Sequence, residues 1–260
     1  MDLQDRHVVV TGAGRGIGAA LARRFHAAGA RVTIADLAGA AEVAASLGER
    51  AVGLVSDVSS EAGNVALIEQ AEAAFGPVHL FFANAGIGGG TDLASTSEDA
   101  WQQTFDVNVN AHRWAAKHLL PGWLAAGEGY FCSTASAAGL LAQIGSAPYT
   151  VTKRAAVAFA EWLSITYGDQ GVRVSCLCPQ GVNTDMLRGS DSLGGGAAVV
   201  RSAGDVLEPE AVADIVAEAI AEERFLILPH PQVQQFMQRK ADDPERWLAG
   251  MRKLQARVLG

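Results

Sequence analysis

The sequence is short of positive charge, cysteine and long apolar runs, and each shortage removes a class of function. Lysine and arginine total 20 against 28 aspartates and glutamates, a net charge of −8. Nucleic-acid binding needs a basic face, and attraction to an anionic membrane needs clustered cations, so neither partner fits this balance. No apolar stretch approaches the ~20 residues that cross a bilayer. The opening residues, MDLQDRHVVVTG, lack a basic segment followed by an apolar one, so no secretory signal is expected and the cytoplasm is the expected location. The three cysteines, Cys132, Cys176 and Cys178, all fall inside apolar, strand-like runs. An odd number so placed fits reduced thiols packed as small hydrophobes, not a disulfide framework. Cys176 and Cys178 share one face of a strand, but no second pair completes a metal site, and the six histidines show no ligand spacing.

What is present is a regular alternation. Apolar residues make up 49% and charged residues 18%, enough for a substantial core. Residues 7–12, 31–36, 51–57, 78–84, 129–134, 172–179 and 224–229 read as seven strands. Helices are expected over 16–29, 61–75, 98–126, 147–169 and 208–222, and in the tail 231–258. The strands are unbroken apolar runs, which implies burial on both faces and hence a parallel sheet covered by helices. Repeated βα units give a doubly wound α/β fold. No internal boundary appears, so residues 1–260 read as one domain, with a helical C-terminal tail at 231–260. The glycine- and serine-rich stretch 185–206 is either a lid or a plain surface loop.

TGAGRGIG, residues 11–18, follows the first strand and opens the first helix. Gly12 permits a sharp exit from the strand, Gly16 a close approach of backbone to a pyrophosphate, and Gly18 close helix–sheet packing. The helix N-terminus then offers unpaired N–H groups to an anion. The spacing of these glycines differs from the commoner G-x-G-x-x-G order. It resembles the TGxxxGxG motif of the short-chain dehydrogenase/reductase family, of the classical type. That resemblance implies a Rossmann fold with a seven-stranded parallel sheet and helices on both faces. It implies that Arg15 and Ile17 join the three glycines around the cofactor.

Further motifs appear in family order. Asp36 ends the second strand, where a carboxylate can accept hydrogen bonds from both ribose hydroxyls of an adenosine and repel a 2′-phosphate. Leu37 follows it, so no arginine is there to hold that phosphate, and NAD is the expected cofactor. Arg15 argues the other way, since a basic residue before the second glycine often accompanies NADP in this family. Asp57, with Val58, matches the family position that bonds the adenine; it can also serve as a helix N-cap. ANAG, residues 83–86, resembles the family's NNAG with Ala83 in place of the first asparagine, and puts Asn84, Ala85 and Gly86 near the cofactor.

Tyr149 and Lys153, in YTVTK, stand one helical turn apart. A nearby ammonium favours the phenolate of a tyrosine and brings proton exchange toward neutral pH. The resemblance implies that Lys153 also holds the nicotinamide ribose. It implies that Ser136, 13 residues before Tyr149, polarises the substrate oxygen, with Ser133 the competing serine. Asn108 matches the asparagine that supports a proton path to solvent, and Asn110 faces elsewhere. CPQGVNT, residues 178–184, resembles the PG-x-V-x-T segment that binds the nicotinamide carboxamide through Pro179, Gly181, Val182 and Thr184. Gln180 departs from the usual Pro-Gly pair.

The expected activity is hydride transfer between NAD and a secondary alcohol or ketone. Two readings stay open beside it, an NADPH-dependent oxoacyl reductase and a non-catalytic cofactor sensor. Substrate contacts are expected from Ala138, Gly139, Leu140, the 86–90 loop, Gln143 and the 185–206 stretch, which are small or apolar and suggest a neutral substrate. The family forms tetramers, so a homo-oligomer, tetramer or dimer, is expected through the helices near 98–126 and 147–169. Phe236, Trp247, Met251 and Leu254 of the tail could clasp a neighbour, cover the cleft, or pack on their own subunit.

Overall fold

Alternate residues of each central strand feed opposite sides of one sheet. In β1 (His7–Thr11), Val8 and Val10 join one apolar cluster and Val9 the other, and all three are fully buried. This is why the strands read as unbroken apolar runs. The computed structural model describes residues 1–90, 92–189, 196–202 and 204–259. After β1 come α1 (Gly16–Ala27), β2 (Arg31–Asp36), α2 (Ala40–Leu47), β3 (Ala51–Val55), α3 (Glu61–Phe75) and β4 (Leu80–Ala83). Next are α4 (Glu98–Phe105), a π-helical turn (Asp106–Asn110), α5 (Ala111–Ala126), β5 (Gly129–Thr134), α6 (Ala137–Leu141), α7 (Ala147–Tyr167) and β6 (Val172–Leu177). The chain continues through α8 (Asp185–Gly189), α9 (Gly196–Ser202), α10 (Pro209–Ala221), β7 (Leu226–Ile227), α11 (Gln232–Asp242) and α12 (Pro244–Leu259).

The sheet is parallel throughout, in the order β3-β2-β1-β4-β5-β6-β7. One face is covered by α1, α2 and α10, which bring Leu21, Phe25, Val43, Val212 and Ile220. The other is covered by α3, α5 and α7, which bring Leu67, Ala115, Leu119, Val157 and Leu163. This is a doubly wound Rossmann arrangement.

Three expected elements differ in detail. The single helix expected over 98–126 is broken by the π turn, which inserts an extra residue per turn at 106–110. The last strand pairs only at Leu226 and Ile227, because it is an edge strand with one neighbour. The 185–206 stretch carries two short helices, α8 and α9; the expectation for residues 190–195 and 203 lies outside the described residues. In the tail, the rings of Phe236 and Trp247 pack at 6.2 Å, and both rest on the α3–α5–α7 core. Lys240 Nζ donates to the carbonyl of Leu140 at 2.7 Å, tying α11 to α6. Among the described residues no helix is long and apolar enough to cross a membrane, and no group of histidines, cysteines or acids forms a metal site.

Candidate active site

The strand order reverses between β1 and β4, and in open α/β sheets ligands bind in the crevice that forms there at the carboxyl ends of the strands. A cleft of about 740 Å³ occupies that position, reaching from Asp36 and Asp57 at one end to Gln143 and Ile144 at the other.

The glycine loop forms its floor. Gly12 and Gly16 have φ of +61° and +55°, a conformation that strains residues with a side chain. A Cβ on Gly12 would stand 2.7 Å from the Cα of Ala85, and one on Gly18 only 2.6 Å from Asn84 Nδ2. The loop can therefore come this close to β4 only as glycine. Helix α1 starts at Gly16 with no side-chain cap, so its first N–H groups are left for an anion in the cleft. Ile17 lines the cleft beside them. The Asp36 carboxylate braces the loop from β2, accepting from the amides of Gly14 at 2.9 Å and Ala38 at 3.3 Å. Leu37 beside it is 67% exposed. Arg15 pairs with Asp185 of α8 at 3.5 Å.

Asp57 and Val58 line the same end. Asp57 Oδ1 accepts from the amide of Ser59 at 2.9 Å, while Ser60, not Asp57, caps α3 by accepting from Gly63. Asn84 Nδ2 donates to the carbonyls of Thr11 and Gly12, and its Oδ1 accepts from Thr134 Oγ1 at 3.1 Å. One side chain thus joins the ends of β1, β4 and β5, and Ala85 and Gly86 follow it along the cleft wall.

Helix α7 supplies Tyr149 and Lys153. The Lys153 ammonium lies 5.7 Å from the Tyr149 ring centre and donates to the carbonyl of Thr134 at 2.8 Å. Lys153 is only 2% exposed, and burial lowers its pKa to about 8. Burial also pushes the Tyr149 phenol above its usual value, opposed by a hydrogen bond with Ser136. In the protein by itself desolvation outweighs the Ser136 hydrogen bond; the expected acidification applies to the tyrosine with an oxidised nicotinamide beside it. Ser136 caps α6, accepting from the amide of Ala138 at 3.1 Å, and its hydroxyl lies 3.4 Å from the Pro179 carbonyl. Ser133 is fully buried and bonded to His112 Nδ1 at 2.9 Å, outside the cleft lining.

Asn108 sits in the π turn, fully buried and behind the cleft. Its Oδ1 accepts from the amide of Ile87, and its Nδ2 donates to the carbonyl of Ile87 and to Thr152 Oγ1. It thereby locks the 86–90 loop to α7 between Tyr149 and Lys153. Asn110 instead bonds Asp106. Beyond β6, Pro179, Val182 and Thr184 line the cleft, whereas Gly181 does not. Val182 forms a parallel bridge with Leu207, and the Thr184 methyl approaches Gly16, closing the segment onto the glycine loop. Thr134, Thr152 and His230 hold these groups in place and carry no local signal in the sequence.

The geometry is a nucleotide-sized cleft with a glycine floor and a helix N-terminus at one end. At the other, two hydroxyls and a buried ammonium converge. A family model described as short chain dehydrogenase matches residues 6–193. The 1-deoxy-11-beta-hydroxypentalenate dehydrogenase of Streptomyces avermitilis is 34% identical over 258 residues, 96% of this chain and 93% of that protein. The meso-2,3-butanediol dehydrogenase of Serratia marcescens is 34% identical over 225 residues, 84% of this chain and 88% of its own. A short chain dehydrogenase/reductase from Burkholderia phymatum, solved in complex with NAD, superposes with a TM-score of 0.85 at 31% identity, covering 94% of this chain and 96% of that one. The chain belongs to the short chain dehydrogenase family.

Proposed function

We propose that this protein is an NAD(H)-dependent oxidoreductase that interconverts a secondary alcohol and a ketone. The observation that carries the reading is the convergence of Ser136, Tyr149 and the buried Lys153 at one end of a cleft whose other end carries Asp36. The dehydrogenase relatives act on hydroxyl-bearing small molecules by name, and the Burkholderia neighbour binds NAD.

The residues fit a dinucleotide. The floor has no room for side chains at Gly12 and Gly18, Gly16 holds a positive φ, and the uncapped start of α1 supports a pyrophosphate. Asp36 faces the adenosine end with a carboxylate, followed by apolar Leu37. Arg15, the one residue of the loop that favours a 2′-phosphate, is engaged by Asp185. Asp57 and Val58 serve the adenine, Asn84, Ala85 and Gly86 the middle of the cofactor, and Pro179, Val182 and Thr184 the carboxamide. The bound nicotinamide supplies the hydride acceptor or donor.

In oxidation, Tyr149 as phenolate removes the hydroxyl proton while Ser136 donates a hydrogen bond to the same oxygen. Lys153 keeps a positive charge against the phenol ring and holds the ribose. Asn108 fixes the 86–90 loop against α7 and so shapes the passage by which Lys153 exchanges protons with water. The described parts of the expected lid, α8 and α9, border the cleft through Met186, Leu187 and Val200. Val151, Trp162 and Ile165 expose apolar surface along one side of α7, and a second copy of the chain docks there.

Tyr149→Phe tests the assignment. Turnover at saturating alcohol should fall by roughly 10³-fold with nucleotide still bound. Near-normal turnover with nucleotide bound would overturn it.

A further inference from the structure

Gln180 stands where the family motif has the glycine of its Pro-Gly pair, and the structure holds it at both ends. Its backbone N–H donates to His230 Nδ1 at 3.2 Å, while His230 Nε2 donates to the carbonyl of Gly181 at 3.0 Å. Both ring nitrogens are used, which fixes one neutral tautomer, and His230 is only 2% exposed. The side-chain Oε1 of Gln180 accepts from Gln232 Nε2 at 3.1 Å. With the oxygen engaged, the amide N–H₂ is the end of the side chain with no partner among the described residues.

Gln180 lines the cleft, among Ile144, Met186, Leu187 and Val200. The preceding carbonyl, of Pro179, accepts from Ala137 at 2.8 Å and lies 3.4 Å from Ser136 Oγ. An oriented donor therefore sits on the cleft wall, one residue from the group that touches Ser136. We infer that Gln180 is a specificity-determining residue whose amide donates a hydrogen bond to a second, uncharged oxygen on the substrate. Gln232 is the positioning residue that turns the amide this way round. The substrate class is then an alcohol or ketone carrying a further hydroxyl, ether or carbonyl oxygen. This rests on the reading of the site as an alcohol dehydrogenase.

The test uses cyclohexanol and its 2-, 3- and 4-methoxy derivatives with the full-length protein. At one ring position the ether should exceed the parent in kcat/KM by about tenfold. Gln180→Met should abolish that preference. Gln232→Glu should invert its chemistry. A carboxylate only accepts, so Gln180 turns its N–H₂ toward residue 232 and shows its oxygen to the cleft. The hydroxy compound at that position then gains over the methoxy one. Gln232 does not line the cleft, so this variant carries the test even where Gln180→Met fails to fold. Calorimetric dissociation constants for the same compounds on Tyr149→Phe give the preference without turnover, which separates failure of this inference from failure of the dehydrogenase reading. Equal values for the parent and all three ethers, or an ether preference that survives Gln180→Met, overturns the inference.

Discussion

Lys153 costs this fold stability at neutral pH, and that cost can be measured. Burial brings its pKa from the ordinary value of about 10.4 down to about 8. The difference of roughly 2.4 units corresponds to about 3 kcal/mol between the charged and neutral forms. The sign follows from proton counting. Below pH 8 the lysine is charged in both the folded and unfolded chain, and the folded state bears the full desolvation penalty. Between about pH 8 and 10.4 the folded lysine is neutral and the unfolded one still protonated, so stability rises with pH. Above 10.4 the penalty is gone.

The variant Lys153→Met removes the titration. In its absolute stability two effects oppose, since the Thr134 carbonyl loses its donor at a cost of about 1–3 kcal/mol, which offsets the relief of the buried charge. The pH dependence is free of that offset. Denaturant unfolding of the two proteins from pH 7 to 10 should show wild type gaining on the variant by roughly 2–3 kcal/mol across the range. A difference that stays flat with pH means the ammonium is solvated in the folded state, and its proposed hold on Tyr149 then loses its basis.

Two further predictions bear on the nucleotide and on assembly. Asp36→Asn keeps an acceptor for the Gly14 amide while removing the charge. The ratio of NADPH to NADH dissociation constants, read by nucleotide fluorescence, should fall about tenfold, and an unchanged ratio refutes the ribose role. Adding Asp185→Asn should lower it further by releasing Arg15 from its ion pair. On α7, the double variant Trp162→Glu and Ile165→Glu places charge on side chains 53% and 83% exposed. It should sediment as a smaller species than wild type with unchanged helical content, and a monomeric wild type refutes the docking face.

Much of this was legible from residue identity at short range. Val8, Val9 and Val10 announce a strand buried on both faces because nothing polar interrupts them. Gly12, Gly16 and Gly18 announce a tight βα turn because their spacing serves no other local purpose. What escaped depends on partners far along the chain. The helix α2 (Ala40–Leu47) begins at Gly39, in the left-handed conformation and without a side-chain cap, so no start signal precedes it. The π turn is hidden because DVNVN fits an ordinary helix equally well. The acceptor for Lys153 is a backbone carbonyl, which any residue at 134 could provide. His230 reaches Gln180 and Gly181 from about 50 positions away. The clearest case is the sign of the tyrosine shift. Y-x-x-x-K states that a cation stands near a phenol, and from that alone the phenol should acidify. Whether it does depends on how much water the surrounding elements exclude. The 86–90 loop, α6 and β6 that enclose the pair are all brought in by the fold. The same enclosure lowers the lysine and raises the tyrosine, so burial favours the neutral form of both.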